Sequence, residues 1–446
     1  MYGLEDKLLS IGYSFLMLLC AVLVRARAGT FLIPAGIFAL TWFAATFFPL
    51  LLLFIVPVNS LAILYIAAAV FVVTLSGVPF PWKSARLRNL EKSLPAASLD
   101  SRFLMNSLYF SAAMSVVFSA WSIVVNGWTI QTSLIGLIKS SGEFAAQRGS
   151  ADGVEYGLVG TLGVFFTHLC AVLGGLRSQG PRRGWFFFVA LSPSLFAMII
   201  QSTKLVFLVG LSFYLAASLV AKIFANQMKL PNMTLAPKYI VGGIAIAALV
   251  LVSFASRDGI YELEFAAMLE PMGFMLSSYI LGQIYAFADF FSYTVGMPSD
   301  SFFLDDYNSW GAYSFASIYD MLGAGKEFPP GMYEETGSYF GVFQTNIFTF
   351  FRGLIYDFGV LGSLLFLFCF GLIAHSVTYH VFTSKRAWFF CAVLIGLIVF
   401  ILMSYLYSVF VARYVFLNAV VVWILLRVNQ LLNLRRASTR MPEVAR

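Results

Sequence analysis

Eleven apolar stretches constrain this chain more than any other feature: residues 8–24, 30–48, 58–78, 103–125, 157–175, 185–201, 204–221, 239–255, 358–379, 388–406 and 411–431. Each is close to the roughly 20 residues that a helix needs to cross a hydrocarbon core of about 30 Å. No water is available there to satisfy backbone N–H and C=O groups, so a crossing segment must pair them within itself. A β-barrel would show short alternating segments instead. The spacing therefore predicts an all-α, polytopic membrane protein with about 11 transmembrane helices, forming a single integral membrane domain over residues 1–446. Composition agrees: 60% of residues are hydrophobic and 11% are charged, where average domains carry about 25% charge. That excludes a soluble globule and a disordered chain. Cys20, Cys170, Cys369 and Cys391 all fall inside apolar runs, so neither a disulfide framework nor a thiolate metal site is expected. Pro49, Pro57 and Asn59 break one long run into its second and third stretches, which fits two short crossings or a re-entrant pair. Residues 1–7 carry Glu5, Asp6 and Lys7 without a basic leader or a small-residue cleavage site, so 8–24 reads as a first span and not a signal peptide.

Orientation follows from lysine and arginine. Alternate loops hold Arg25 and Arg27, then the group Lys83 to Arg102, then Arg177, Arg182 and Arg183, then Lys222, Lys229 and Lys238, then Lys385 and Arg386, and finally Arg427 to Arg446. Together they contain 20 of the 28 basic residues but only three acids, Glu91, Asp100 and Glu443. This face is predicted to be cytoplasmic, with the N-terminus outside and the C-terminus inside. The formal net charge of +7 is thus a topology signal, and no nucleic-acid partner is expected.

Two outer segments exceed what a connector needs: a first periplasmic loop at 126–156 and a large one at 256–357. Long loops in compact proteins are usually functional. Within the second, residues 265–295 are aromatic and Met-rich with scattered polar positions. They read as amphipathic helix lying in the interface, with a buried re-entrant pair as the alternative. Ionisable residues are almost absent from span centres, and His168 reads as a hydrogen-bonded packing residue. The chain shows no internal repeat of the kind that marks many transporters.

The outer cations oppose the positive-inside bias and so need a reason. Lys204, Arg257, Arg352 and Arg413 lie where apolar runs meet the outer face, and Arg148 lies in the first outer loop. Arginine forks pair bidentately with phosphate and lysine acts as a point charge, so several of them suit an anionic ligand at headgroup depth. The plainer reading pairs each with a loop acid or an anionic lipid. Asp305-Asp306, beside Tyr307 and Asn308, reads as a solvated turn rather than a metal-diphosphate site.

Residues 341–363 read Gly-Val-Phe-Gln-Thr-Asn-Ile-Phe-Thr-Phe-Phe-Arg-Gly-Leu-Ile-Tyr-Asp-Phe-Gly-Val-Leu-Gly-Ser. This stretch resembles the Asn-x-x-Thr, aromatic, Tyr-Asp-Phe-Gly, Gly-Ser segment before a late span in the O-antigen and oligosaccharide repeat-unit polymerases. The Thr203-Lys204 link and the large outer loop match their layout as well. The Arg-x10-Gly pattern of some members is absent, since Arg148 is followed by Gly157 and Gly160 and Arg257 by Met268 at the corresponding position.

The resemblance implies a metal-independent, cofactor-free membrane glycosyltransferase of the GT-C class. Its substrate would be an oligosaccharide on undecaprenyl pyrophosphate, and a chain-length regulator would be a partner. The implied chemistry needs a cationic clamp on the leaving pyrophosphate and a general base for the acceptor hydroxyl. Arg352, Lys204, Arg257 and Arg413, then Arg148, are the clamp candidates, with Tyr356 and Asn346 from the matching stretch as further substrate contacts. Arg352 and Tyr356 are four apart and share a face if helical. No histidine falls in an outer loop, which leaves Glu143, Asp258 and Asp357 as base candidates. Asp357 has competing structural roles, capping the ninth span or pairing with Arg352. The rival functions are an O-antigen ligase, a lipid-linked sugar flippase and a non-catalytic scaffold.

Overall fold

In the computed structural model, residues 3–91, 99, 101–125, 136, 139–143, 157–180, 183–224, 227, 250–251, 253–254, 265–297, 303, 309–323, 332–384 and 387–439 are described. The helices are α1 (Leu4–Ala28), α2 (Pro34–Leu52), α3 (Ser60–Ser76), α4 (Trp82–Glu91), α5 (Arg102–Val125), α6 (Gly157–Leu176), α7 (Arg183–Ile200) and α8 (Lys204–Phe224). They continue with α9 (Phe265–Leu276), α10 (Gln283–Thr294), α11 (Ala316–Met321), α12 (Phe350–Thr383), α13 (Trp388–Met403) and α14 (Arg413–Thr439). Among the described residues, a hairpin pairs β1 (Met332–Tyr339) with β2 (Phe343–Ile347) in antiparallel fashion, with a shift of register between Met332 and Gly337.

Among the described residues, eight helices are long and apolar enough to cross a membrane: α1, α2, α5, α6, α7, α8, α12 and α14. The chain is therefore an α-helical membrane protein. Two further predicted crossings, α3 and α13, are apolar but shorter, and the predicted crossing at 239–255 lies largely outside the described residues.

The segment at 265–295 departs from the expected surface helix. It is a pair bent by 55°, joined through a π-helical turn at Ser277–Leu281. Its second half, α10, is buried from Gln283 to Ser292 except at Asp289. Ile284, Phe287, Phe290 and Phe291 share one apolar face, and Tyr65 and Phe351 pack on it.

The chain divides into two compact units, the first comprising Met1–Arg88, Gly273–Ser384 and Leu397–Phe416. Its core is aromatic. Tyr65 of α3 packs on Phe287 and Phe291 of α10 and on Phe351 of α12, at 5.1 to 6.1 Å between ring centroids. Trp42 of α2 meets Phe350 and Phe351 and donates its indole N–H to Ser404 Oγ at 3.0 Å. Helices α3 and α12 pack closely at Gly371, where a Cβ would lie 2.1 Å from Ser76 Oγ. Asn59 caps α3 by accepting from the Leu61 N–H at 2.9 Å.

The end of α2 explains a lysine that is only 2% exposed. Carbonyls in a helix's last turn lack intrahelical partners, and here Leu53 O accepts from Lys7 Nζ at 3.1 Å and from Tyr285 OH at 3.0 Å. Lys7 also donates to Tyr285 OH at 2.8 Å. Lys7→Met should lower stability by about 1–3 kcal/mol, the cost of leaving buried polar partners unmet. Thermal unfolding in detergent against wild type checks this, and an unchanged midpoint would contradict the assigned role.

The second unit comprises Asn89–Met272, Lys385–Gly396 and Leu417–Arg446. Small residues let its helices approach, as expected where lipid supplies no hydrophobic drive between helices. Gly174 of α6 lies against Ala190 of α7, and Gly175 against Tyr214 and Ala217 of α8. His168, fully buried, directs Nε2 at the Val206 carbonyl at 3.3 Å and packs on Phe213, the packing role expected of it.

Candidate functional site

The local sequence at 332–359 builds the site from three pieces. Tyr339 to Val342 forms a turn closed by Val342 N–H donating to Tyr339 O at 2.9 Å, with Phe340 and Gly341 both at positive φ. That turn folds β1 onto β2, and α12 begins immediately after it. Gly359, at φ 69° and ψ 175°, then interrupts α12. A short helix at 350–358, buried from 350 to 357, is thereby separated from the span that follows.

Arg352 stands on this short helix with only 1% of its side chain exposed. Its guanidinium lies 3.7 Å from the Tyr333 ring centroid and 4.2 Å from that of Phe348. Phe303, Phe290 and Tyr356 complete the cage at 5.0 to 5.3 Å. Cation–π attraction contributes more at such desolvated sites than at exposed ones, about 2 kcal/mol against 0.5–1. Burial pushes the Tyr333 hydroxyl well above the ordinary phenol range, with the Arg352 charge opposing in part, so its ring stays neutral beside the cation.

Hydrogen bonding in the cage is incomplete. Nη2 donates to Glu335 Oε1 at 2.9 Å and to the Tyr356 hydroxyl at 3.2 Å. Nε and Nη1 are buried and have no acceptor among the described residues. Each guanidinium fork is therefore half used, where arginine–carboxylate pairs are commonly bidentate. An unmet buried donor costs about 1–3 kcal/mol and more when charged. Tyr333 and Phe348 also wall a smaller cavity with about 10 Å³ for a water centre, enough for about one water. Ser314 and Thr349 line it and carry buried hydroxyls without a partner among the described residues.

Asp357, one turn on, does not pair with Arg352. Its carboxylate accepts from Ser309 Oγ at 2.6 Å, Tyr313 N–H at 3.0 Å and Ser314 N–H at 2.8 Å. The carbonyls of Tyr356 and Asp357, freed by the break at Gly359, accept from the N–H groups of Ser309 and Trp310. Asp357 thus ties the loop at 309–314 to the end of the short helix, whose freed carbonyls are capped by the N–H groups of that loop.

Asn346 lies half-buried in β2. Arg413 belongs to the same unit as Arg352 but is 62% exposed and pairs with Asp320 at 3.4 Å, a surface contact worth about 0–1 kcal/mol. Lys204 starts α8 in the second unit, just after Ser202 at φ 52°, with Nζ 4.3 Å from the Phe254 ring centroid. Glu143 is exposed on a helical stretch at 139–143 in that unit. Arg148, Arg257, Asp258, Asp305 and Asp306 lie outside the described residues, as does most of the 126–156 loop. The structure therefore brings Arg352 and Tyr356 together and adds Glu335, which sequence reasoning passed over. The signal that could have found it is closeness in sequence to Tyr333: the two residues lie two apart on β1 and both meet Arg352.

Compared with protein-family models, curated proteins and solved structures, the chain has no match in any of the three.

Proposed function

We propose that this chain is a GT-C-like membrane glycosyltransferase that joins undecaprenyl-pyrophosphate-linked oligosaccharide repeat units into O-antigen or a related surface polysaccharide. It works at the periplasmic face of the bacterial inner membrane, through about eleven spans with the N-terminus outside and the C-terminus inside. The growing glycan passes from its lipid pyrophosphate to the terminal hydroxyl of a new lipid-linked unit, without a metal. A chain-length regulator is its expected protein partner.

The single observation that carries this reading is Arg352, buried among aromatic rings with N–H groups of both forks lacking an acceptor among the described residues. A pyrophosphate supplies several anionic oxygens that accept such donors. In a low-dielectric cage the charge is worth more than in water, and it stabilises the leaving group as the glycosidic bond breaks. Tyr356 positions the guanidinium from the same helix face. Lys204, Arg257, Arg413 and Arg148 are the proposed remainder of the clamp, and Asn346 is a proposed glycan contact. Of the base candidates Glu143, Asp258 and Asp357, the last is already committed to three donors.

The test is polymerisation by the purified protein of lipid-linked repeat units extracted from cells lacking the gene, with and without chelator. The expected result is a ladder of products unaffected by chelator, and the same cells should carry surface glycan capped with a single repeat. Lys204→Ala should remove the ladder while the protein still accumulates in the membrane. Polymer piling up on its lipid carrier would identify a ligase, and unpolymerised units held on the cytoplasmic side a flippase.

A further inference from the structure

The polymerase reading names Glu143, Asp258 and Asp357 as base candidates and singles out none of them, and this inference rests on that reading. We propose that Glu335 is the general base that takes the acceptor proton, and that donor binding on Arg352 raises its readiness to do so.

Three observations carry the assignment. Glu335 is the carboxylate in ion-pair contact with Arg352 among the described residues, with Oε1 held 2.9 Å from Nη2. Its side chain is 20% exposed while that of Arg352 is 1% exposed, so the carboxylate reaches from the cage toward solvent while the cation stays inside. Asp357, the nearest alternative in sequence, is enclosed and holds three donors.

The guanidinium links the two roles. Its vacant N–H groups, Nε and Nη1, each share a fork with Nη2, and Nη2 gives one proton to Glu335 and the other to Tyr356, so an oxygen of the donor pyrophosphate bound in the Glu335 fork lies beside Oε1. That added negative charge, on the same arginine, makes the carboxylate more ready to accept a proton. In the step itself, the acceptor O–H proton passes to the Glu335 carboxylate as the acceptor oxygen bonds to the donor's anomeric carbon. The bond from that carbon to the pyrophosphate oxygen breaks, and the leaving pyrophosphate keeps the electron pair against Arg352. No oxidant, reductant or metal enters the balance. Before the donor arrives, pairing with Arg352 keeps the base quiet.

Glu335→Gln tests this, because the amide oxygen still accepts from Arg352 Nη2 while the side chain no longer takes a proton. Turnover of the extracted lipid-linked units should fall about 100- to 10,000-fold, the span of general-base contributions, with donor binding within about twofold of wild type. In Glu335→Ala, added formate or azide should restore part of the turnover. A Glu335→Gln enzyme near wild-type rate overturns the proposal while leaving the polymerase reading intact. Loss of donor binding together with turnover, without rescue by small anions, also overturns it, because Glu335 would then only position Arg352. A wild-type protein that forms no polymer at all removes the polymerase reading, and this inference with it.

Discussion

Arg352→Ala should abolish polymer formation, with turnover down at least about 100-fold, the usual cost of losing a preorganised donor to developing negative charge. The same change removes the partner of Glu335 and empties a space walled by five aromatic rings. Removing one side of a buried ion pair costs about 3–5 kcal/mol, with the lower end expected because Glu335 is partly solvated. A loss of activity alone would therefore confuse folding with chemistry. The double replacement Arg352→Met with Glu335→Leu separates them, since exchanging both charged partners for apolar groups of similar size is often neutral or stabilising. The double variant should unfold within a few degrees of wild type and form no polymer. Arg352→Lys should fall between, because lysine keeps the charge but has no planar fork. A double variant that still polymerises at the wild-type rate would remove Arg352 from the reaction.

The second large effect is on folding. Asp357→Ala withdraws the acceptor from Ser309 Oγ, Tyr313 N–H and Ser314 N–H at once. The hydroxyl can turn elsewhere, but the two backbone N–H groups are fixed, and each costs about 1–3 kcal/mol when left unmet in the interior. Asp357→Asn should do little better. The carboxylate accepts at both oxygens, Oδ1 from Tyr313 and Oδ2 from Ser314, so one side of an amide would present N–H to N–H. Both variants should therefore lose several kcal/mol and accumulate poorly, as read by unfolding midpoints and membrane yield. If Asp357 were instead the base that sequence reasoning allowed, the asparagine variant would fold normally and be inactive.

The contacts legible in the sequence are the local ones. The four-residue spacing of Arg352 and Tyr356 becomes a 3.2 Å hydrogen bond, and the turn at Thr203-Lys204 does separate α7 from α8. The partners of Asp357 lie more than forty residues upstream, where no periodicity connects them. Glu335 was hidden for a different reason. The hairpin that delivers it turns on Phe340 at φ 54°, a conformation that a bulky residue rarely adopts, in place of the Asn-Gly or Asp-Gly that marks such turns. Helix α10 carries Ile284, Phe287, Phe290 and Phe291 on one face with Asp289 and Ser292 opposite. That pattern does not distinguish an interfacial helix from one packed inside until its neighbours are known. The crossings were the most legible part, since the length of an apolar run is nearly all that hydrocarbon requires.

The interruption at Gly359 has a mechanical consequence. Long spans adjust to thicker or thinner bilayers by tilting, at a modest free-energy cost per ångström of mismatch. Were residues 350–383 one unbroken rod, every change of tilt would act as a lever on Arg352. The break at Gly359 works as a pivot, and the loop at 309–314 fastens the short helix on its near side. The membrane segment can then follow lipid thickness while the arginine keeps its place among the rings.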